Sequence, residues 1–255
     1  MLIAMIREVS PLIAHCELTH LERQPIDVEE ARLQHAAYAA CLARLGCEVQ
    51  GLPATPDLPD GVFIEDIALV LDEVAVITRP GAASRRPEIP SVAQALEPYR
   101  KLLSIEEPGT LDGGDVLRLG RKLLVGLSER SNPAGVEQLR RLVKPFGYRV
   151  EGIPVSGCLH LKSAVTEVAA GVVLVNPAWV APADFGHVSV IDVDPTEPYA
   201  ANGLLVGERL IYPESFPRTR KRLEAAGIGI EAVDVSELQK AEGAVTCCSL
   251  VFSGV

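Results

Sequence analysis

VLRLGRKLLVGLSERSNPAGVEQLRRLVKPFGYRVEGI, running from Val116 to Ile153, contains one complete structural unit. Val116 to Leu119 and Leu123 to Gly126 are short apolar runs, which is strand character. Asn132 stands just before a helical pattern from Pro133 to Val143. Its side chain can accept hydrogen bonds from the free amides of the first turn, and proline at the first helical position already has the φ a helix needs. Tyr148 to Ile153 returns to strand character. The order is strand, strand, helix, strand.

That order recurs along the chain. Upstream it runs Ile64 to Leu71, Val74 to Thr78, a helix around Ser91 to Leu96, and Leu102 to Ile105. Downstream it runs Leu159 to Val168, Val172 to Val175, a helical turn near Pro182 to Phe185, and Val188 to Val193. A further unit takes Gly203 to Val206, Leu210 to Tyr212, a helix near Arg218 to Ala226, and Ile230 to Val235. The two ends supply a fifth: a C-terminal strand, Val245 to Phe252, joins an N-terminal strand, Leu2 to Ile6. A helix from Val28 to Leu45, capped by Asp27 and ended by Gly46, follows with its Ala31, Ala36, Ala40 and Leu45 near helical spacing, and then a strand, Val49 to Leu52. The prolines between Pro53 and Pro59 exclude regular structure there. Five units of roughly 45 residues predict an α/β ring of ββαβ blades, closed by its own ends and so without exposed strand edges. A generic open α/β sheet is the alternative.

The repeat gives certain polar residues a shared address. Asp66, Asp112, His160, Asn202 and Cys247 each lie near the opening of a unit's first strand, at intervals of roughly 45 residues. In a ring, such equivalent positions converge on the axis. Two carboxylates, an imidazole, an amide and a thiol meeting there form a hydrolytic set. The adjacent Cys247 and Cys248 are open to a blander reading, as two small buried hydrophobes.

Bulk properties narrow the choice. A net charge of −10 and a pI near 5.1 leave no basic stripe for a nucleic acid. The apolar N-terminal run stops at Arg7, too short for a signal-peptide core, and no run approaches a membrane span. Six cysteines, at 16, 41, 47, 158, 247 and 248, match no paired metal-finger spacing. A cytoplasmic protein with free thiols and no membrane partner is expected.

A thiol with a pKa of about 8.5 needs a base or a nearby cation to attack efficiently, and His160 can serve as that base and then protonate a leaving amine. Carboxylates beside a thiolate would hinder it unless the substrate is itself a cation. A guanidinium gripped by Asp66 and Asp112 fits that requirement, and its charge favours the thiolate. Arg79, Arg85, Arg86 and Arg130 follow strands and could supply forks for a substrate carboxylate.

These residues lie within motifs that resemble the dimethylarginine dimethylaminohydrolase family: Leu58 to Asp66, Ile77 to Arg86, Thr110 to Leu117, Val125 to Asn132, Leu159 to Ser163, Tyr199 to Asn202 and Thr246 to Ser249, in order and over most of the chain. The resemblance implies the pentein fold, a five-bladed ring forming a single domain over residues 1–255. It also implies hydrolysis of Nω-methylated arginines to citrulline plus methylamine or dimethylamine, without a cofactor or a catalytic metal, in arginine metabolism and the nitric oxide pathway. It assigns the nucleophile to Cys247, general acid/base chemistry to His160 and orientation of His160 to Asp112. It gives Asp66 the guanidinium, with Glu65 and Asp60 beside it, and gives Arg85 and Arg130 the substrate carboxylate. Leu18, in a mobile N-terminal lid, and Ala241 would meet the substrate amine. The partner implied is a small cationic amino acid, and a homodimer is allowed. Deimination of arginine or another guanidino compound, and a non-catalytic five-fold binding protein, are the alternatives.

Overall fold

The computed structural model describes residues 1–254. Its sheets are five, each of three strands. The chain opens with β1 (Leu2–Arg7), α1 (Val28–Arg44) and β2 (Cys47–Leu52). The next blade contains β3 (Ala68–Val70), β4 (Val74–Ile77), α2 (Ile89–Leu96) and β5 (Lys101–Ser104), and the one after it β6 (Val116–Leu119), β7 (Lys122–Leu127), α3 (Pro133–Val143) and β8 (Arg149–Pro154). The fourth blade starts with a helical turn, α4 (Leu161–Ala164), and continues through β9 (Val165–Ala169), β10 (Val172–Val175) and β11 (Ser189–Asp192). The fifth contains β12 (Leu204–Val206), β13 (Arg209–Pro213), α5 (Pro217–Ala225) and β14 (Gly229–Val233). A short α6 (Ser236–Gln239) leads to β15 (Ser249–Ser253).

Every sheet has one construction. The first strand pairs antiparallel with the second and the second parallel with the third, the helix or turn forming the crossover. The terminal sheet obeys the same rule across the two ends of the chain, with β15 antiparallel to β1 from Leu2 opposite Ser253 to Ile6 opposite Ser249, and β1 parallel to β2. The ring closure expected from the sequence is thus a hydrogen-bonded one.

Middle strands carry the core. Val74 to Ile77, Leu123 to Val125, Val173 to Val175 and Leu210 to Tyr212 are buried throughout, as a strand flanked on both sides and packed under a helix must be. First strands face the axis, where β3, β6, β9, β12 and β15 line a 350 Å³ cavity.

Two readings of the elements change. Helix α1 buries Ala31, Gln34, His35, Tyr38, Cys41 and Leu42, while Ala36 and Ala40 are exposed. Alanine spacing alone does not define a face. The larger Tyr38 does, since its hydroxyl reaches Val245 O at 2.8 Å and Ser249 Oγ at 2.7 Å. Asp27 caps this helix as expected, accepting from the amides of Glu29 and Glu30. Secondly, several first strands begin later than their apolar runs suggest. Ile64–Ile67 is a 3₁₀ turn, Leu161–Ala164 is helical, and the strand expected from Val245 starts at Ser249, whereas β6 starts at Val116 as expected, behind a 3₁₀ turn at Gly113–Asp115. In these entry turns side chains take the backbone donors: Asp66 accepts from Gly114 N, Asp115 from Leu161 N and Asn202 from Thr246 N. That local pairing competes with a sheet ladder.

Candidate active site

The entry turns bring their polar residues together at one end of the axis. Phe63, Asp60, Asp66, Arg85, Arg130, Leu159, His160, Ala241, Gly243 and Cys247, with Glu17 and Glu242 from the rim, surround a cavity of 20 Å³. Backbone must approach closely here. A Cβ at Gly114 would lie 2.7 Å from His160 Nδ1 and 2.8 Å from Asp66 Oδ1, and one at Gly243 would lie 2.1 Å from the ring of Phe63. Any larger side chain would fill the site.

His160 stands at the start of α4 and is held from both sides. Its Nε2 lies 3.0 Å from Asp112 Oδ2 and its Nδ1 3.9 Å from Asp66 Oδ1. Burial alone would push its pKa down. The carboxylates of Asp66, Asp112 and Asp115 outweigh burial and lift it to about 9. Asp112 is fully buried and fixed in turn: Gly81 N donates to its Oδ1 at 2.9 Å, and its own amide donates to Ser131 Oγ. Asp115 anchors the next turn through Ser128, Ser131 and Leu161 N, and burial raises it to about 6.

Asp66 is held below the usual carboxylate range; burial opposes this, but His160, Arg85 and the amide of Gly114 prevail. Arg85 is buried, and each of its guanidinium nitrogens has a partner. Nε and Nη2 grip Glu88 at 2.9 and 2.8 Å, Nη1 pairs with Asp66, and Nη2 also reaches the carbonyls of Phe63 and Asp60. Arg130, by contrast, bonds at the rim to Thr19 Oγ1 at 3.0 Å. Arg79 and Arg86, also considered from the sequence, are taken up outside the cavity by Glu107 and by the carbonyl of Pro80. Asp60 accepts from Glu17 N at 3.2 Å, and burial lifts it to about 6.

Cys247 is half-buried. Burial, with Glu65 and Asp66 adding negative charge, pushes its thiol up to about 12. At neutral pH the resting pair is therefore a neutral thiol and an imidazolium. Cys248, one residue on, is fully buried and points to Ala244 O at 3.4 Å.

Two expected residues do not reach this cavity. Glu65 turns to the opposite, axial cavity, where it pairs with Lys162 Nζ at 2.6 Å and accepts from Thr246 Oγ1 at 2.8 Å; only its backbone touches Cys247, donating to Cys247 O. Leu18 packs, half-buried, against the core beneath α1. Glu17, Phe63, Leu159, Glu242 and Gly243 are contributed without having been singled out. The proximity of Glu242 had no signal in sequence, whereas Lys162 and Thr246 lie within the His160 and Cys247 motifs.

Ligand atoms of Asp66, Asp112 and His160 lie within 4.8 Å of one another, a donor set that a cation could use. In the geometry seen, those atoms are committed to Arg85, Gly114, Gly81 and each other.

No family model matches the chain. It is 41% identical to the N(G),N(G)-dimethylarginine dimethylaminohydrolase of Streptomyces coelicolor, over 97% of this chain and 95% of that protein. The chain belongs to the dimethylarginine dimethylaminohydrolase family. Solved structures agree. The enzyme from Pseudomonas aeruginosa, as a cysteine-to-serine mutant complexed with citrulline, superposes with a TM-score of 0.94 at 31% identity, covering 98% of both chains. A histidine-to-glycine form of a family enzyme, as an adduct with S-methyl-L-thiocitrulline, gives a TM-score of 0.93 at 31% identity over 99% of this chain and all of that one. The ring is accordingly the pentein propeller of the family.

Proposed function

We propose that the chain hydrolyses Nω,Nω-dimethyl-L-arginine and Nω-methyl-L-arginine to L-citrulline plus dimethylamine or methylamine, with residues 1–255 acting as one domain. The observation that carries this is a single small cavity uniting a half-buried thiol, an imidazolium braced by a buried aspartate, and a second buried aspartate able to face a cation. The citrulline and thiocitrulline in the family's solved structures support the same product and the same electrophilic carbon.

In this reading Asp66 receives the guanidinium, with Asp60 near the substrate amine, Ala241 beside it, and Arg130 and Arg85 toward the carboxylate. Leu18 contributes through its backbone, and Glu65 acts from behind Cys247. The bound cation stabilises a thiolate that the empty site disfavours. Cys247 Sγ attacks the guanidinium carbon, and the thiol proton is released. The C–N bond to the methylated nitrogen breaks as His160 protonates the departing amine. A water then gives a proton to the now neutral His160 and adds to the same carbon. The C–S bond breaks as the proton of the added hydroxyl passes to the sulfur, freeing citrulline and restoring the Cys247 thiol. Asp112 keeps the imidazole oriented throughout.

The reading extends to a cytoplasmic role in arginine metabolism and the nitric oxide pathway, with a homodimer allowed. Among the described residues no helix is long and apolar enough to cross a membrane. The deciding experiment incubates purified protein with asymmetric dimethylarginine and, separately, with arginine. Citrulline and dimethylamine in equal amounts from the first are expected; ammonia from arginine outpacing them would favour deimination instead.

A further inference from the structure

Asn202 was read from the repeat as one of five residues aimed at the axis, yet the reaction above gives it no task. Its surroundings supply one. The side chain is buried, at 3% exposure, in the turn before β12. Its Nδ2 donates to Lys162 O at 3.0 Å and to Thr246 Oγ1 at 2.9 Å, while its Oδ1 accepts from Thr246 N at 3.1 Å. Lys162 lies two residues past His160, and Thr246 is the residue before Cys247. One amide thus bonds to the turn carrying the acid/base and to the turn carrying the nucleophile.

The bonding continues beneath the nucleophile. Thr246 Oγ1, receiving a hydrogen from Asn202, directs its own to Glu65 Oε2 at 2.8 Å, and Glu65 also holds Lys162 Nζ at 2.6 Å. Asn202, Thr246, Glu65 and Lys162 come from four different blades and close a loop of hydrogen bonds. Three of them, Glu65, Lys162 and Thr246, line the axial cavity on the far side. The loop therefore ties the wall of that cavity to the turns that carry His160 and Cys247.

We infer that Asn202, acting through Thr246, is a positioning residue that sets the nucleophile's turn against the acid/base turn across the ring axis. The chemistry is particular to an amide. The position needs two donated hydrogens and one acceptor in a single planar group, and it needs neutrality, since a carboxylate here would face Glu65 one hydroxyl away. Leucine has the volume without the bonds and would leave the buried amide of Thr246 unpaired. A misplacement of about 1 Å at a reacting centre is enough to cost roughly 100-fold in rate.

The inference rests on the methylarginine reading for its kinetic arm only. Two measurements are made on Asn202→Ala, Asn202→Asp, Thr246→Val and Thr246→Ser. One is kcat and KM with asymmetric dimethylarginine; the other is the rate of Cys247 alkylation by iodoacetamide at a fixed pH of about 9 in a Cys248→Ser background, which needs no substrate. Thermal unfolding identifies the folded variants. For folded Asn202→Ala and Thr246→Val, kcat falls roughly 30- to 100-fold with KM within about threefold. Alkylation of Thr246→Val and Asn202→Asp slows by about threefold or more, because each change disfavours the thiolate. Thr246→Ser, which keeps the hydroxyl, recovers the greater part of kcat. If the Asn202 variants do not fold, Thr246→Val decides, because it removes one hydroxyl and keeps the shape. A folded Thr246→Val with an unchanged alkylation rate, or a loss confined to KM, overturns the inference. Should the parent fail to release citrulline, the alkylation arm still stands, so failure of the reaction reading is told apart from failure of this one.

Discussion

Cys247 and His160 start from protonation states that set the pH behaviour of the site. His160, lifted to about 9 against its usual 6.5, binds its proton more tightly folded than unfolded. The stability it contributes is fully present below about pH 6.5 and is lost as pH rises through about 9. The size is about 3 kcal/mol from the linkage of 1.36 kcal/mol per unit. Chemical denaturation between pH 6 and 10 should show that decline, and His160→Gln should flatten it; an equal slope in the variant would count against the proton being held there. In the proposed turnover the same proton is the one given to the leaving amine, so kcat should fall on the alkaline side near pH 9. Cys247→Ser should abolish citrulline release while leaving thermal unfolding within a few degrees of the parent. Cys248→Ser, by contrast, should alter kcat less than about threefold, since Cys248 only packs against the turn.

Glu242 is the clearest case of an element held by one residue. It has a positive φ of 58°, unusual for a side chain of this kind, and its carboxylate accepts from the amides of Thr19, His20 and Leu21 at 2.5 to 3.0 Å. The N-terminal loop is thereby latched over a cavity of 20 Å³, room for about one water and far too little for an arginine side chain. Substrate entry therefore requires this loop to lift. Glu242→Ala should loosen it, read as faster tryptic cleavage at Arg23 and a KM raised about five- to twentyfold by charge-assisted bonds lost from the closed state. Unchanged cleavage would show that the latch does not hold the loop. Helix α1 offers a contrasting test away from the chemistry. Asp27→Ala removes a cap worth about 1 kcal/mol, which should lower Tm by about 2 to 4 °C and leave kcat alone.

The whole ring depends on a seam between its two ends. β15 pairs with β1, and Leu250 and Phe252 join Ile3 and Met5 in a core shared with Ile64, Ile67 and α2 of the neighbouring blade. Phe252→Ala should cost about 3 to 5 kcal/mol and lower Tm by roughly 10 °C. Because Cys247 precedes β15 directly, kcat should fall with it well below the unfolding transition; a stability loss with kcat intact would show the site independent of the seam. The order of strands and crossover helices, the five-fold repeat, the closure of the ring and the axial address of Asp66, Asp112, His160, Asn202 and Cys247 could all be read from the chain. They rest on local pattern, period and cap chemistry, which neighbouring residues determine among themselves. Tertiary structure alone decided three matters. It turned Glu65 to the opposite cavity, where Lys162 and Thr246 satisfy a carboxylate that would otherwise be buried unpaired. It set the exposed and buried faces of α1 by the reach of Tyr38. It bound Glu242 to a loop more than two hundred residues away in sequence. Each depends on charges and hydrogen-bonding groups from distant segments meeting where water is excluded, and no spacing along the chain encodes that meeting.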